Sequence, residues 1–135
     1  MSANLRSFRA IIERGFCNGD LTVADEICDA KMIEHEYLAR TDLPGPRILK
    51  AQIEEARHSI RDLRLTVEAF VETADTIWAR SKATGVDPRS GRPIAIVVID
   101  ICRFRDGKLV EHWGVPDRFA LLHQIGALPG LEPSR

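Results

Sequence analysis

Four side chains in this sequence have the chemistry to move a proton under mild conditions: His35, Asp100, His112 and Asp117. His112 and Asp117 stand five positions apart in Glu111-His112-Trp113-Gly114-Val115-Pro116-Asp117, a stretch that reads as strand up to the proline. Imidazole changes charge near neutral pH, and a carboxyl group in an apolar hollow resists ionisation, so the two together make an acid/base unit. Strict alternation sends positions five apart to opposite faces of a sheet. Pro116 relaxes that constraint, because it lacks the N–H that a ladder needs and so ends or bulges the strand. Asp117 also stands where the helix that follows needs an N-cap, and the two roles are compatible. Asp117 is therefore a candidate general acid or base and equally a helix cap, and His112 and His35 are candidates to donate to a substrate carbonyl or equally half-buried histidines bonded to backbone.

Asp100 interrupts the apolar run Ile94-Ala95-Ile96-Val97-Val98-Ile99 and Ile101-Cys102. An unpaired carboxylate there would cost several kcal/mol, so a partner is required, with Arg80 or Arg103 on a neighbouring strand as the obvious choices. The other reading makes Asp100 a second pocket carboxylate beside Asp117. Trp78, Trp113, Tyr37 and Phe70 have the shape to line a cavity for a flat polycyclic substrate, and equally to fill a core or a dimer interface. The candidate substrate-contacting set is thus Trp113, Asp100, Trp78, Tyr37 and Arg80.

Other chemistries find no support. The four histidines show neither HxH nor HExxH spacing, so no metal site is expected, and no GxSxG elbow or phosphate-cradling glycine loop is present. No cofactor is expected. Three cysteines, an odd number without metal-ligand spacing, point to a reducing cytoplasm, and no signal-peptide pattern precedes Asn4. A formal net charge of -1 with acids and bases interspersed gives no nucleic-acid or membrane surface.

These groups need a scaffold, and 135 residues are enough for one core without disulfide or metal staples, read as one domain over 1–135. Leu5, Phe8, Ile11, Ile12 and Phe16 recur at helical spacing and predict a helix over 4–17, stopped by Asn18-Gly19. Asp20 suits the N-cap of a second helix over 21–28. A short strand over 32–38 would turn Ile33, His35 and Tyr37 one way and Met32, Glu34 and Glu36 the other. A helix over 47–59 follows, then strands over 63–72 and 76–84, a surface loop over 85–93, and strands over 94–105 and 108–115. Asp106-Gly107 between the last two is a strong signal for a type I′ hairpin. A helix over 118–124 precedes Gly126 and a Pro/Gly-rich tail expected to fray. Helices first and antiparallel strands afterwards predict an α+β domain with helices on one face of a curved sheet.

If Arg105 pairs with Lys108 and the ladder is regular, partners sum to 213. His112 then faces Ile101, Trp113 faces Asp100 and Asp117 lies near Ile96. On that register Asp100, Glu111, Trp113 and Asp117 share a face with Val98 and Cys102, and His112 shares the other with Ile99, Ile101 and Arg103.

The run DGKLVEHWGVPDRFALLHQIG resembles the C-terminal signature of the SnoaL-like polyketide cyclases, a branch of the NTF2-like superfamily. Earlier segments agree in order: the helix ending at Asn18-Gly19-Asp20, His35 followed by Pro44-Gly45, and the helix leading to Arg61-Asp62. Relatives often carry Gly-Thr-His after the third strand where this chain reads Ala83-Thr84-Gly85-Val86, so a pocket histidine is missing. The resemblance implies an NTF2-like cone: a curved mixed or antiparallel sheet with the N-terminal helices on its concave face. It further implies cofactor-independent, aldol-type cyclisation of a small hydrophobic carbonyl compound, with Asp117 and His112 cooperating, and a homodimer. The alternatives are a non-catalytic module for ligand binding or dimerisation, and an epoxide hydrolase, other lyase or isomerase on the same scaffold.

Overall fold

The computed structural model describes residues 1–128. Helix α1 (Ala3–Ala10) is capped by the Ser2 hydroxyl, which accepts from the Leu5 N–H, and runs on as a π-helix over Ile11–Cys17. The expected helix is therefore present, but its second half is π rather than α. Within it Gly15 packs where a Cβ would sit 2.9 Å from Ile53 Cδ1. Helix α2 (Thr22–Ile27) follows, with the Asp20 carboxylate accepting from the Thr22 N–H. Strand β1 is Cys28–Glu34, helix α3 is Gly45–Ser59, and β2 is Arg61–Thr73. Strands β3 (Thr76–Val86), β4 (Pro93–Arg105) and β5 (Lys108–Pro116) lead to helix α4 (Arg118–Gln124).

The sheet runs β1-β5-β4-β3-β2, with β1 parallel to β5 and the other pairs antiparallel. It is the curved, unclosed mixed sheet expected of the α+β NTF2-like fold. One face carries the core: Phe8, Val23, Ile48, Ile53, Ile77 and Phe104 are almost wholly buried between the helices and the strands. At about 25 cal/mol per Å² of apolar surface, each such side chain contributes roughly 1.5–3 kcal/mol. No helix among the described residues is long and apolar enough to cross a membrane.

Two stretches depart most from expectation. Strand β1 begins at Cys28 and ends at Glu34, so His35 and Tyr37 lie beyond it. The inward positions are Met32 and Glu34, both buried, while Ile33 is half exposed. The expected loop over 85–93 is shorter, since β3 continues to Val86 and β4 begins at Pro93. The expected fraying of the tail falls mainly on residues 129–135, outside the described residues.

The hairpin between β4 and β5 determines the site. Asp106 and Gly107 both have positive φ (51° and 75°), as the type I′ turn requires. Arg105 pairs with Lys108 and Phe104 with Leu109, but a bulge then shifts Arg103 onto Glu111. Val110 is the extra residue, and it and Leu109 are both buried although adjacent in sequence. Beyond the bulge partners sum to 214, so Cys102 faces His112, Ile101 faces Trp113 and Asp100 faces Gly114. The regular register is thereby corrected, and one extra residue moves His112 to the other face of the sheet.

Candidate active site

Because of that shift His112 shares the helix-covered face with Asp100 and Cys102, while Glu111, Trp113 and Val115 turn outward. His112 Nε2 lies 2.7 Å from Asp100 Oδ1. On the other side of the ring, Nδ1 lies 2.8 Å from both carboxylate oxygens of Glu34, which β1 delivers by its parallel pairing with β5. Asp100 thus finds its partner in His112, and not in the expected arginines. Arg80 faces outward with Glu68 at 3.7 Å, and Arg103 Nε donates to Glu111 at 2.9 Å.

The imidazole is held between two carboxylates in a nearly water-free place. The Glu34 side chain has no exposed surface, and those of His112 and Asp100 are 14% exposed. Burial works against the imidazolium, but the hydrogen bonds to Asp100 and Glu34 outweigh it and push the His112 pKa up to about 10. Both ring nitrogens therefore donate. Burial also works to raise the Glu34 carboxyl, yet the His112 hydrogen bond and charge hold it below the usual carboxylate range. The backbone N–H groups of His35 and Glu36 complete its shell at 3.1 and 3.0 Å. Gly114 makes the arrangement possible: a Cβ there would lie 2.7 Å from His112 Cε1 and 3.2 Å from Asp100 Oδ1. Cys102 stays a neutral thiol, since burial and the nearby carboxylates push its pKa well above the ordinary value.

Asp100, Cys102, His112 and Gly114 form the polar floor of a cavity of about 520 Å³. Its walls are apolar, with Phe8, Ile11, Ile12 and Phe16 contributed by α1 and the π-helix. The wide π turn shapes this wall, a placement common for such helices at functional sites. Glu36, Gln52 and Arg118 form a second polar cluster in the lining: Arg118 Nη2 donates to Glu36 Oε1 at 2.5 Å and Gln52 Nε2 to Glu36 Oε2 at 2.8 Å.

The other expected site residues lie elsewhere. Asp117 is exposed and does not line the cavity; its Oδ1 accepts from the Ala120 N–H at 3.0 Å, which is the capping role. His35 bonds through its backbone N–H to the His112 carbonyl, and alternation then sends its ring to the outer face. There it stacks on Trp113 at 4.4 Å between ring centroids and meets Glu111 at 2.8 Å. Trp78 is half exposed on that same face, and Tyr37 is 94% exposed beyond β1. Neither they, Trp113, Phe70 nor Arg80 line the cavity. Two carboxylates do approach one another as an acid/base pair would, but they are Asp100 and Glu34 bridged by His112, rather than Asp100 and Asp117. Glu34, Glu36, Gln52 and Arg118 were not foreseen. The inward turn of Met32, Glu34 and Glu36 was the available signal.

The family model for the SnoaL-like polyketide cyclases matches residues 7–125. No curated protein matches the chain. Among solved structures, TsrD from Streptomyces laurentii is 24% identical with a TM-score of 0.81, covering 93% of this chain and 96% of that one. Wild-type IdmH from Streptomyces antibioticus, named as a candidate polyketide cyclase, is 25% identical with a TM-score of 0.78, covering 91% and 98%. A Bacillus cereus protein, also named as a candidate polyketide cyclase, is 21% identical with a TM-score of 0.82, covering 93% and 82%.

Proposed function

The chain belongs to the SnoaL-like polyketide cyclase family, and from that premise we propose that it closes a ring in a small hydrophobic polycarbonyl compound, with Asp100 as the general acid and base. The observation carrying this reading is the Asp100–His112–Glu34 relay on the floor of an apolar cavity. His112 occupies Asp100 Oδ1, which leaves Oδ2 to face the substrate. The Asp100 carboxylate takes a proton from a carbon beside a carbonyl, and the C–H electrons become the double bond of an enolate. That carbon attacks a second carbonyl of the same molecule, and the alkoxide so formed takes the proton back from Asp100. The carboxylate is regenerated and no other reactant is consumed. Glu34 fixes the imidazolium and His112 fixes Asp100, so the base is oriented before substrate arrives. The apolar walls exclude water from the enolate.

Proton exchange tests this directly. Wild-type protein in D2O is expected to label the activated carbon of a hydrophobic β-dicarbonyl compound, read by NMR. Asp100→Asn is expected to reduce labelling to the rate of the compound alone while the variant still binds the compound. Labelling by wild type no faster than in the compound alone would leave only a ligand-binding module, and equal acceleration by both proteins would take the base role from Asp100.

A second copy of the chain is the partner we propose for the outer face of the sheet. Trp78, Val97, Ile99 and Val115 are 42–66% exposed on neighbouring strands there, and isolated monomers seldom leave contiguous apolar patches of this kind uncovered. Sedimentation at micromolar concentration is expected to give a dimer that Ile99→Glu dissociates. A monomeric wild type would refute it.

A further inference from the structure

The proposed chemistry needs a hydrogen-bond donor for the enolate oxygen, and the relay has none to spare. Both N–H groups of His112 are spent on carboxylates, and His35 sits across the sheet with Glu111. Other donors in the cavity lining are weak or turned to their own surroundings, the Cys102 thiol being a poor donor. Ser59 Oγ donates to Glu55 at 3.0 Å, and Arg40 grips Asp42 in its own loop through Nε and Nη2 at 3.0 and 2.9 Å.

Arg118 differs on three counts. It begins α4 two residues after Pro116, itself in the cavity wall, so it stands at the end of the strand that carries His112 and Gly114. Among the described residues only its Nη2 is engaged, by Glu36, which leaves Nε and Nη1 as donors. Glu36 is in turn locked from two sides: its other oxygen accepts from Gln52, and its backbone N–H donates to Glu34. The clamp on the arginine and the clamp on the imidazole therefore share the segment 34–36. The resting relay carries one imidazolium and two carboxylates, a net charge of minus one, and it becomes neutral as Asp100 takes the substrate proton, so it offers the enolate oxygen no net positive charge. Donors and cations fixed in place and aimed at the developing charge are what stabilise it.

Resting on the proposed function, we infer that Arg118 is a further catalytic residue that binds the enolate oxygen of the substrate, and that Glu36 is the positioning residue that aims it. The substrate class this implies is a carbonyl compound that enters uncharged, places its acidic C–H at Asp100 and its carbonyl oxygen at Arg118, and carries negative charge only during reaction. An anion would be repelled by the floor of the cavity.

2-Naphthol, whose ionised form is a flat stand-in for an enolate, tests this, with naphthalene as a control for an intact cavity. Asp100→Asn imitates the protonated base and is expected to bind naphtholate more tightly than wild type does. In that background Arg118→Met is expected to weaken naphtholate binding roughly tenfold or more, the value of a charge-assisted hydrogen bond, and to raise the pKa of bound 2-naphthol. Naphthalene binding is expected to be unchanged, with Arg118→Lys and Glu36→Gln intermediate. The inference is overturned if Arg118→Met leaves naphtholate binding unaltered, if it weakens both ligands alike, or if Asp100→Asn binds no 2-naphthol. If instead Asp100→Asn fails to tighten naphtholate binding, the role given to Asp100 falls, whatever Arg118 does.

Discussion

Replacing Gly114 with alanine drives a methyl group between His112 and Asp100. The new Cβ would lie 2.7 Å from His112 Cε1, and reaching even 3.4 Å, the near edge of ordinary contact, requires the ring to retreat by about 0.7 Å. The 2.7 Å bond from His112 Nε2 to Asp100 Oδ1 would then open to about 3.4 Å, where little hydrogen bonding survives. A hydrogen bond to a charged group contributes about 1.5–3 kcal/mol, and overpacking costs about 1–3 kcal/mol. Relieving the clash is what breaks the bond, so the two overlap and the expected loss is roughly 2–3 kcal/mol. For a domain of this size that lowers Tm by roughly 8–12 °C. Calorimetry reads it, and deuterium exchange reads the site: a displacement near 1 Å is expected to slow labelling about 100-fold. A variant that melts within about 1 °C of wild type and labels at the same rate would refute this geometry.

Two further outcomes follow from burial and charge. The His112 pKa is raised from 6.5 to about 10, so its contribution to stability is fully present below pH 6.5 and is lost as pH rises through about 10. Wild-type Tm should therefore fall over that interval relative to His112→Asn, measured by calorimetry, and parallel curves would contradict it. Burial pushes the Cys28 thiol up to about 12 and that of Cys102 well above its ordinary value, whereas Cys17 is partly exposed. Ellman's reagent at pH 8 is expected to titrate at most one thiol in the native protein and three after denaturation; prompt reaction of two or more native thiols would count against the packed core.

Local signals carried much of the architecture. Asp106-Gly107 marked the hairpin, and Pro116-Asp117 marked the start of α4 at Arg118, because turn and cap chemistry act over a few residues. What escaped was set by less local effects. Leu109 and Val110, two adjacent apolar residues ahead of Glu111, are the trace of the bulge, but a regular ladder was the simpler reading, and it placed His112 on the wrong face. Glu34 finds His112 only through the parallel pairing of β1 with β5, a contact across 78 positions that no spacing rule announces. Asp117 looked catalytic for the reason that made it a good cap, its place just past a strand carrying a histidine. The apolar positions of the first helix suited a 3.6-residue period well enough to hide the switch to π at Ile11.

The site stands or falls on an imidazolium locked between the carboxylates of Glu34 and Asp100 beneath the helices. The direct measurement is a pH titration of the His112 ring nitrogens by 15N NMR, in wild type and in Glu34→Gln. The expected result is that both wild-type nitrogens stay protonated through pH 8 and that the ring loses one of its two N–H protons near pH 10, with a lower midpoint once Glu34 is neutralised. A wild-type midpoint near 6.5, the ordinary histidine value, unmoved by Glu34→Gln, would contradict it.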